Sequence, residues 1–207
     1  MLAGHFGLAA AVKSRQPQTP LWALMLSTQL LDVVFIVLYL VGVESFRPVE
    51  GTNGSYGNFI FTADWSHSLV GSLAISLVAM AVTWAFWGRV NGLVIGAVAF
   101  SHWLLDLLVH RPDLAILPGP WADMLPRIGL GLWSIPWLVF AIELVLVLGG
   151  AYLYYHASAR QAIKVERQRQ RDGQPAGGLR QNALVASGVM TVVMLGLLAA
   201  DFFGIGG

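Results

Sequence analysis

Residues Val90–Val109 read VNGLVIGAVAFSHWLLDLLV. In a helix rising ~1.5 Å per residue, a stretch of this length crosses the ~30 Å hydrocarbon core of a bilayer. It is apolar on every side, so it is a membrane span rather than one stripe of a soluble helix. Within it His102 and Asp106 are spaced i, i+4 and face one side. Working outward, Leu21–Val43, Ser66–Trp87, Pro136–His156 and Ala183–Phe203 are also long and apolar enough to cross. Met1–Val12 is apolar but about half a span long, which predicts a re-entrant or tilted helix buried against the others. The alternative is an interfacial leader. No small-residue cleavage site follows the first span, so it is not read as a removed signal peptide. The expected fold class is all-α: a polytopic transmembrane helix bundle of about five spans plus a short N-terminal buried or re-entrant helix. Residues 1–156 would form the bundle with the candidate site, 157–182 a cytoplasmic basic linker, and 183–207 an additional C-terminal transmembrane helix.

Composition agrees. Hydrophobic residues make up 57% of the 207 and charged residues 11%, where a soluble protein carries about 25% charged. That excludes a soluble enzyme and a disordered chain. The net charge of +1 and the lack of a basic face exclude a nucleic-acid binder. With no cysteine, metal chemistry must rest on His and carboxylates.

Lys and Arg set the expected sidedness. Lys13, Arg15, Arg89, Arg160, Lys164, Arg167, Arg169, Arg171 and Arg180 fall on one side of alternating spans, leaving Arg47, Arg111 and Arg127 on the other. The first group marks the cytoplasm and puts the C-terminus outside. Glu44–Ala63 and the Pro-rich Arg111–Arg127 are then outer loops, the second a semi-rigid cap. The stretch Arg169–Arg180 reads as a plain linker, and Gly92 and Gly96 form a small-xxx-small pair suited to close helix packing.

Charges inside a membrane are costly and point to function. Counted from the cytoplasmic ends, Asp32 lies ~18 Å deep, His102 and Glu143 ~20 Å, Asp106 ~25 Å and His67 ~30 Å. They share a layer from the midplane outward, and His5, at ~12 Å, joins it if its helix is shifted. Two ligands from one helical turn completed by other helices suit Zn²⁺ first, with Mn²⁺ or Fe²⁺ as alternatives. The competing reading of His102 and Asp106 is a buried hydrogen bond that locks two helices.

At these residues the chain resembles the YdjM-like group of inner-membrane metal-dependent hydrolases. The matching pieces, in the group's order, are Gly4-His5, Leu31-Asp32, Ser66-His67-Ser68 and Ser101-His102-Trp103-Leu104-Leu105-Asp106 followed by a Pro-containing loop. They cover about residues 1–150. The resemblance implies a multi-pass protein of the cytoplasmic membrane and a divalent-metal site made of His5, Asp32, His67, His102 and Asp106. Where members often carry Pro-Asp-x-Asp-His, this chain reads Leu30-Leu31-Asp32-Val33-Val34, and Thr62-Ala63-Asp64 stands where His-Arg-Gly is frequent. A second metal would therefore need Glu143 or Asp64.

The expected chemistry is hydrolysis by metal-activated water, with Asp106, Glu143 or Asp64 as general base. Arg111 could clamp a phosphate or carboxylate, or simply snorkel to the interface. His110 is placed at the outer mouth as a supporting or substrate-facing group. Ser66 and Ser68 are expected to bond helix carbonyls, and Asp201 to end the last span in water. A site open to the outer leaflet implies an amphiphilic, lipid-type substrate such as a lipid phosphate or lipid ester. The rival readings are a metal-ion or proton-coupled transporter, against which stands the lack of broken helices, and a non-catalytic scaffold stapled by metal. Oligomeric state is not legible.

Overall fold

The structure, a computed structural model, describes residues 1–49, 58–175 and 177–204. Seven helices follow in chain order: α1 (Leu2–Arg15), α2 (Leu21–Thr28), α3 (Leu30–Leu40), α4 (Leu69–Trp87), α5 (Arg89–Val109), α6 (Pro136–Arg171) and α7 (Leu179–Phe203). Between α3 and α4, strands β1 (Ser45–Pro48) and β2 (Phe59–Thr62) pair antiparallel, Ser45 opposite Thr62. Among the described residues α4, α5, α6 and α7 are each long and apolar enough to cross a membrane, and the bent pair α2–α3 makes a fifth. The protein is an all-α bundle whose apolar outer faces suit a lipid bilayer.

The short first helix sits inside the bundle. Its buried residues are Ala3, Gly4, His5, Gly7, Ala9 and Ala10. Small side chains let other helices close around it: Ala3 packs with Val147, Ala151, Met194 and Leu198, and Ala9 with Ala23, Leu24, Ile95 and Val98. The interfacial-leader alternative is thereby set aside. The α4–α5 contact runs through Gly92 and Gly96, which lie against Met80 and Trp84 where a Cβ would collide. The outer face of α4 leaves Leu73, Leu77, Val78 and Phe86 exposed, a pattern that suits lipid and would be a liability in water.

Two expectations about helix limits are corrected. The first span is not continuous: α2 and α3 meet at 53°. No Pro or Gly marks the break. Instead the Ser27 and Thr28 hydroxyls bond back to the carbonyls of Leu24 and Met25, at 2.9 and 2.8 Å, a habit that bends helices. The Thr28 carbonyl leaves the helical ladder and is taken up by His102. The helix of the fourth span runs on beyond His156, where the expected span ends, since α6 continues to Arg171. Residues Ala157–Arg171 are mostly good helix formers, and a hydropathy reading stops where apolarity stops, not where helix does. Glu166 on this extension accepts the Leu179 amide at 2.8 Å, satisfying an otherwise orphaned donor at the start of α7.

The Arg111–Arg127 segment is an ordered cap, with a 3₁₀ turn at Gly119–Met124 and a bridge between Leu114 and Ile128. The carbonyls of Ala115 and Ile116 accept the Leu69 and Val70 amides at the free N-terminus of α4. Arg127 clamps Asp64 with both terminal nitrogens, at 2.7 and 3.1 Å, and also reaches Asp123 at 2.9 Å. The bonds to Asp64 hold the guanidinium pKa above its ordinary value. The pair is about three-quarters buried, and bidentate geometry makes it stronger than a typical surface ion pair. Arg127→Ala is expected to lower stability by ~1–2 kcal/mol. A double-mutant cycle with Asp64→Asn in thermal unfolding checks this; fully additive losses would show that the pair contributes nothing.

Candidate metal centre

Four elements converge on one cavity of about 230 Å³. The early turn of α1 carries His5, and the break before α3 turns Asp32 inward. The segment just ahead of α4 carries His67, and the last turns of α5 carry His102 and Asp106. All five line the cavity. His102 Nε2 lies 3.0 Å from Asp106 Oδ2 and 3.6 Å from Asp32 Oδ1. His67 Nε2 lies 3.4 Å from Asp32 and 3.8 Å from Asp106. His5 Nε2 lies 3.3 Å from Asp106 Oδ1, and its ring stacks on that of His102 with centroids 4.0 Å apart. Two triads have ligand atoms mutually within 4.8 Å: His5, His102 and Asp106, and Asp32, His67 and His102.

The outer hydrogen bonds decide which nitrogen faces inward. His102 Nδ1 meets the Thr28 carbonyl, which can only accept, so Nδ1 carries a proton and, in the neutral ring, Nε2 carries the lone pair. For His67 the order runs through a serine. Glu44 Oε1 accepts the Trp65 and Ser66 amides, and its Oε2 accepts the Ser66 hydroxyl at 2.7 Å. Ser66 Oγ, having donated its proton, accepts from His67 Nδ1 at 2.7 Å. Again Nε2 presents its lone pair to the cavity. Metal-binding histidines are oriented in this way, by a carbonyl or carboxylate behind the ring.

With the rings neutral the inward set consists of nitrogen lone pairs and two carboxylates, which need shared protons or a cation among them to sit so close. His102 Nε2 is buried and faces the carboxylates of Asp106 and Asp32, at 3.0 and 3.6 Å, an arrangement that a shared cation would satisfy. The residues present therefore fit a divalent cation. The simple locking hydrogen bond between His102 Nε2 and Asp106 accounts for that pair but leaves His5, Asp32 and His67, gathered at the same cavity, without explanation.

The remaining expected site residues fall elsewhere. His110 lines the cavity, its Nδ1 bonded to Asp113 at 3.1 Å and its Nε2 3.9 Å from Asp106. Arg111 is exposed and does not line the cavity. Asp64 is held by Arg127 in the cap, so its carboxylate is engaged away from the cavity. Glu143 is fully buried but accepts the Gly4 amide at 2.9 Å, where it positions α1 rather than facing the cavity. A second ion resting on Glu143 or Asp64 has no geometric support here. Ser66 bonds Glu44 and His67 rather than helix carbonyls, and Ser68 caps α4 by accepting the Gly71 amide.

Two groups were missed. Glu44 was read as loop, because a hairpin separates it from Ser66 in sequence. Asp201 does not end its helix in water: it lines the cavity, with Oδ2 buried and without a hydrogen-bond partner. The rule that intramembrane acids are functional was available for Asp201 and would have found it.

Glu44→Gln keeps the shape but weakens the acceptor behind Ser66 and His67. Metal affinity is expected to fall by about 10–100-fold, as when other outer partners of metal ligands are lost. Metal titration of the purified variant measures it, and an unchanged affinity would dismiss the relay.

Comparison with protein-family models, with curated proteins and with solved structures finds no match for this chain.

Proposed function

We propose that the protein is an integral-membrane, metal-dependent hydrolase acting on a lipid phosphate or lipid ester, related to the YdjM-like group. The observation that carries this reading is the convergence of His5, Asp32, His67, His102 and Asp106, with the Nε2 atoms of His67 and His102 turned inward by bonds behind their rings. Both triads draw on His102, and its Nδ1 is committed to Thr28, so they compete for one atom. This supports a single ion per chain, zinc by the nitrogen-rich donor set with Mn²⁺ or Fe²⁺ as alternatives.

A bound divalent ion supplies water of lowered pKa and polarises a substrate oxygen. Of Asp106, Glu143 and Asp64, only Asp106 lines the cavity, so Asp106 would be the group placed to accept a proton there. Phe35, Phe59, Phe61 and Trp133 form an aromatic lining that excludes bulk water, and His110 stands beside Asp106 to meet the polar end of a substrate. By the distribution of Lys and Arg the cavity opens to the outer side of the cytoplasmic membrane.

A metal-transport reading draws on the bend at α2–α3, since broken helices line many transporter sites. Among the described residues no second bent pair balances it. The test is elemental analysis after mild purification, followed by assay of a panel of lipid phosphates and esters. One equivalent of metal and turnover lost on chelation is the expected result. Metal uptake into proteoliposomes without hydrolysis would favour transport, and a metal-free, inert protein would end the hydrolase reading.

A further inference from the structure

A second hollow, of about 510 Å³, opens on the flank of the bundle between α3 and the β1–β2 hairpin. Val33, Ile36 and Phe46 form its outer wall. Leu2, Asp32, Phe35, Phe59 and Phe61 line both this groove and the cavity that holds the histidines. The two spaces therefore meet at Asp32. Its side chain is 42% exposed while its neighbours His67, His102 and Asp106 are buried. A carboxylate half-open on the apolar flank of a spanning helix is costly beside hydrocarbon alone. It is accommodated if whatever lies in the groove brings its polar end to that seam.

We infer that this groove seats the apolar chain of the substrate, which enters sideways from the bilayer while its polar group sits at the His/Asp cluster. The inference rests on the proposed reading of the cluster as a metal-dependent site for an amphiphile, and it commits the occupant to one that joins an anionic or ester head to a long apolar tail. Charge and shape argue together for it. The cavity is too small for more than a head, the groove is lined by apolar side chains apart from Gln29 and Asp32, and it lies beside the 53° bend between α2 and α3. A water-soluble substrate would need no such flank.

The test uses full-length protein loaded with Co²⁺ in phosphatidylcholine nanodiscs, with the visible spectrum of the ion as readout. Methyl phosphate and dodecyl phosphate are the two probes. Ile36→Trp fills the groove, Val33→Phe narrows the same wall, and Val37→Trp places an equal ring on an exposed α3 position outside it. Ile36→Trp is expected to raise the dodecyl phosphate midpoint by about 10-fold or more, the effect of forcing a bulky group into a filled contact. Methyl phosphate midpoints and metal content stay unchanged, Val33→Phe follows Ile36→Trp, and Val37→Trp alters neither probe. If dodecyl phosphate binds the groove variants as it binds the wild type, or if Val37→Trp weakens it equally, the groove holds only bulk lipid or a second copy and the inference is overturned. Such a result leaves the metal centre standing. A wild-type protein that takes up no Co²⁺ overturns both.

Discussion

His102→Ala is expected to purify without stoichiometric metal, where the wild type retains about one ion per chain. His102 is the one residue common to both triads, and its Nε2 is within 3.6 Å of both carboxylates. Its removal costs more than the lost nitrogen. Asp32 and Asp106 are left facing each other with less positive charge between them, and the Thr28 carbonyl loses its donor inside the bundle. The affinity loss should exceed the about 10–100-fold typical of an outer partner, because a ligand itself is gone. Elemental analysis of the variant beside His156→Ala measures it. His156 packs against Tyr152 and Tyr155 on α6, apart from the cavity, and its loss should leave metal content intact. Full metal occupancy in His102→Ala would remove the basis for a His/Asp centre.

The second large effect is expected at a backbone contact two residues from His5. A Cβ on Gly7 would collide with the Leu146 carbonyl, and one on Gly150 with the Gly7 carbonyl. These are backbone contacts, so no rotamer change can relieve them. Gly7→Ala must push α1 off α6, and three things move with it. The Gly4 amide leaves Glu143, the stacked His5 ring leaves His102, and His5 Nε2 leaves Asp106. Glu143 is then a buried carboxylate with neither oxygen bonded. Overpacking and the lost bond together should cost ~3 kcal/mol or more. Gly149→Ala is the matched control on the facing helix α6, since its Cβ meets open space. It should be neutral or stabilising by up to ~1 kcal/mol. Thermal unfolding in detergent separates them, and metal content of Gly7→Ala should fall alongside its stability. Equal behaviour of the Gly7 and Gly149 variants would show that the close approach does not exist.

The site was unusually legible because lipid leaves few reasons for a histidine or an acid to be inside. His5, Asp32, His67, His102 and Asp106 could each be picked out against an apolar background, and helical rise put them at comparable depth before any fold was known. The bend at Gln29 was not legible, since no Pro or Gly announces it. Hydroxyl bonds like those of Ser27 and Thr28 back to Leu24 and Met25 are found in many helices that do not bend, and the Thr28 carbonyl meets His102 from 74 positions away. Glu44 was hidden for a like reason, being brought to Ser66 only by the pairing of β1 with β2.

The bare count of charges, 11% of the chain, points to lipid as the solvent, and the exceptions to apolarity pick out the residues that gather at the cavity. Both follow from transfer free energy, a property each residue carries regardless of where the chain goes. Tertiary structure alone decided which acids serve the cavity: Asp64 is given to Arg127, Glu143 to the Gly4 amide, while Asp201 turns inward. It also decided which nitrogen of each histidine faces the centre. Those outcomes depend on hydrogen-bond partners supplied by distant segments, and direction in space is what a one-dimensional pattern of polarity does not carry.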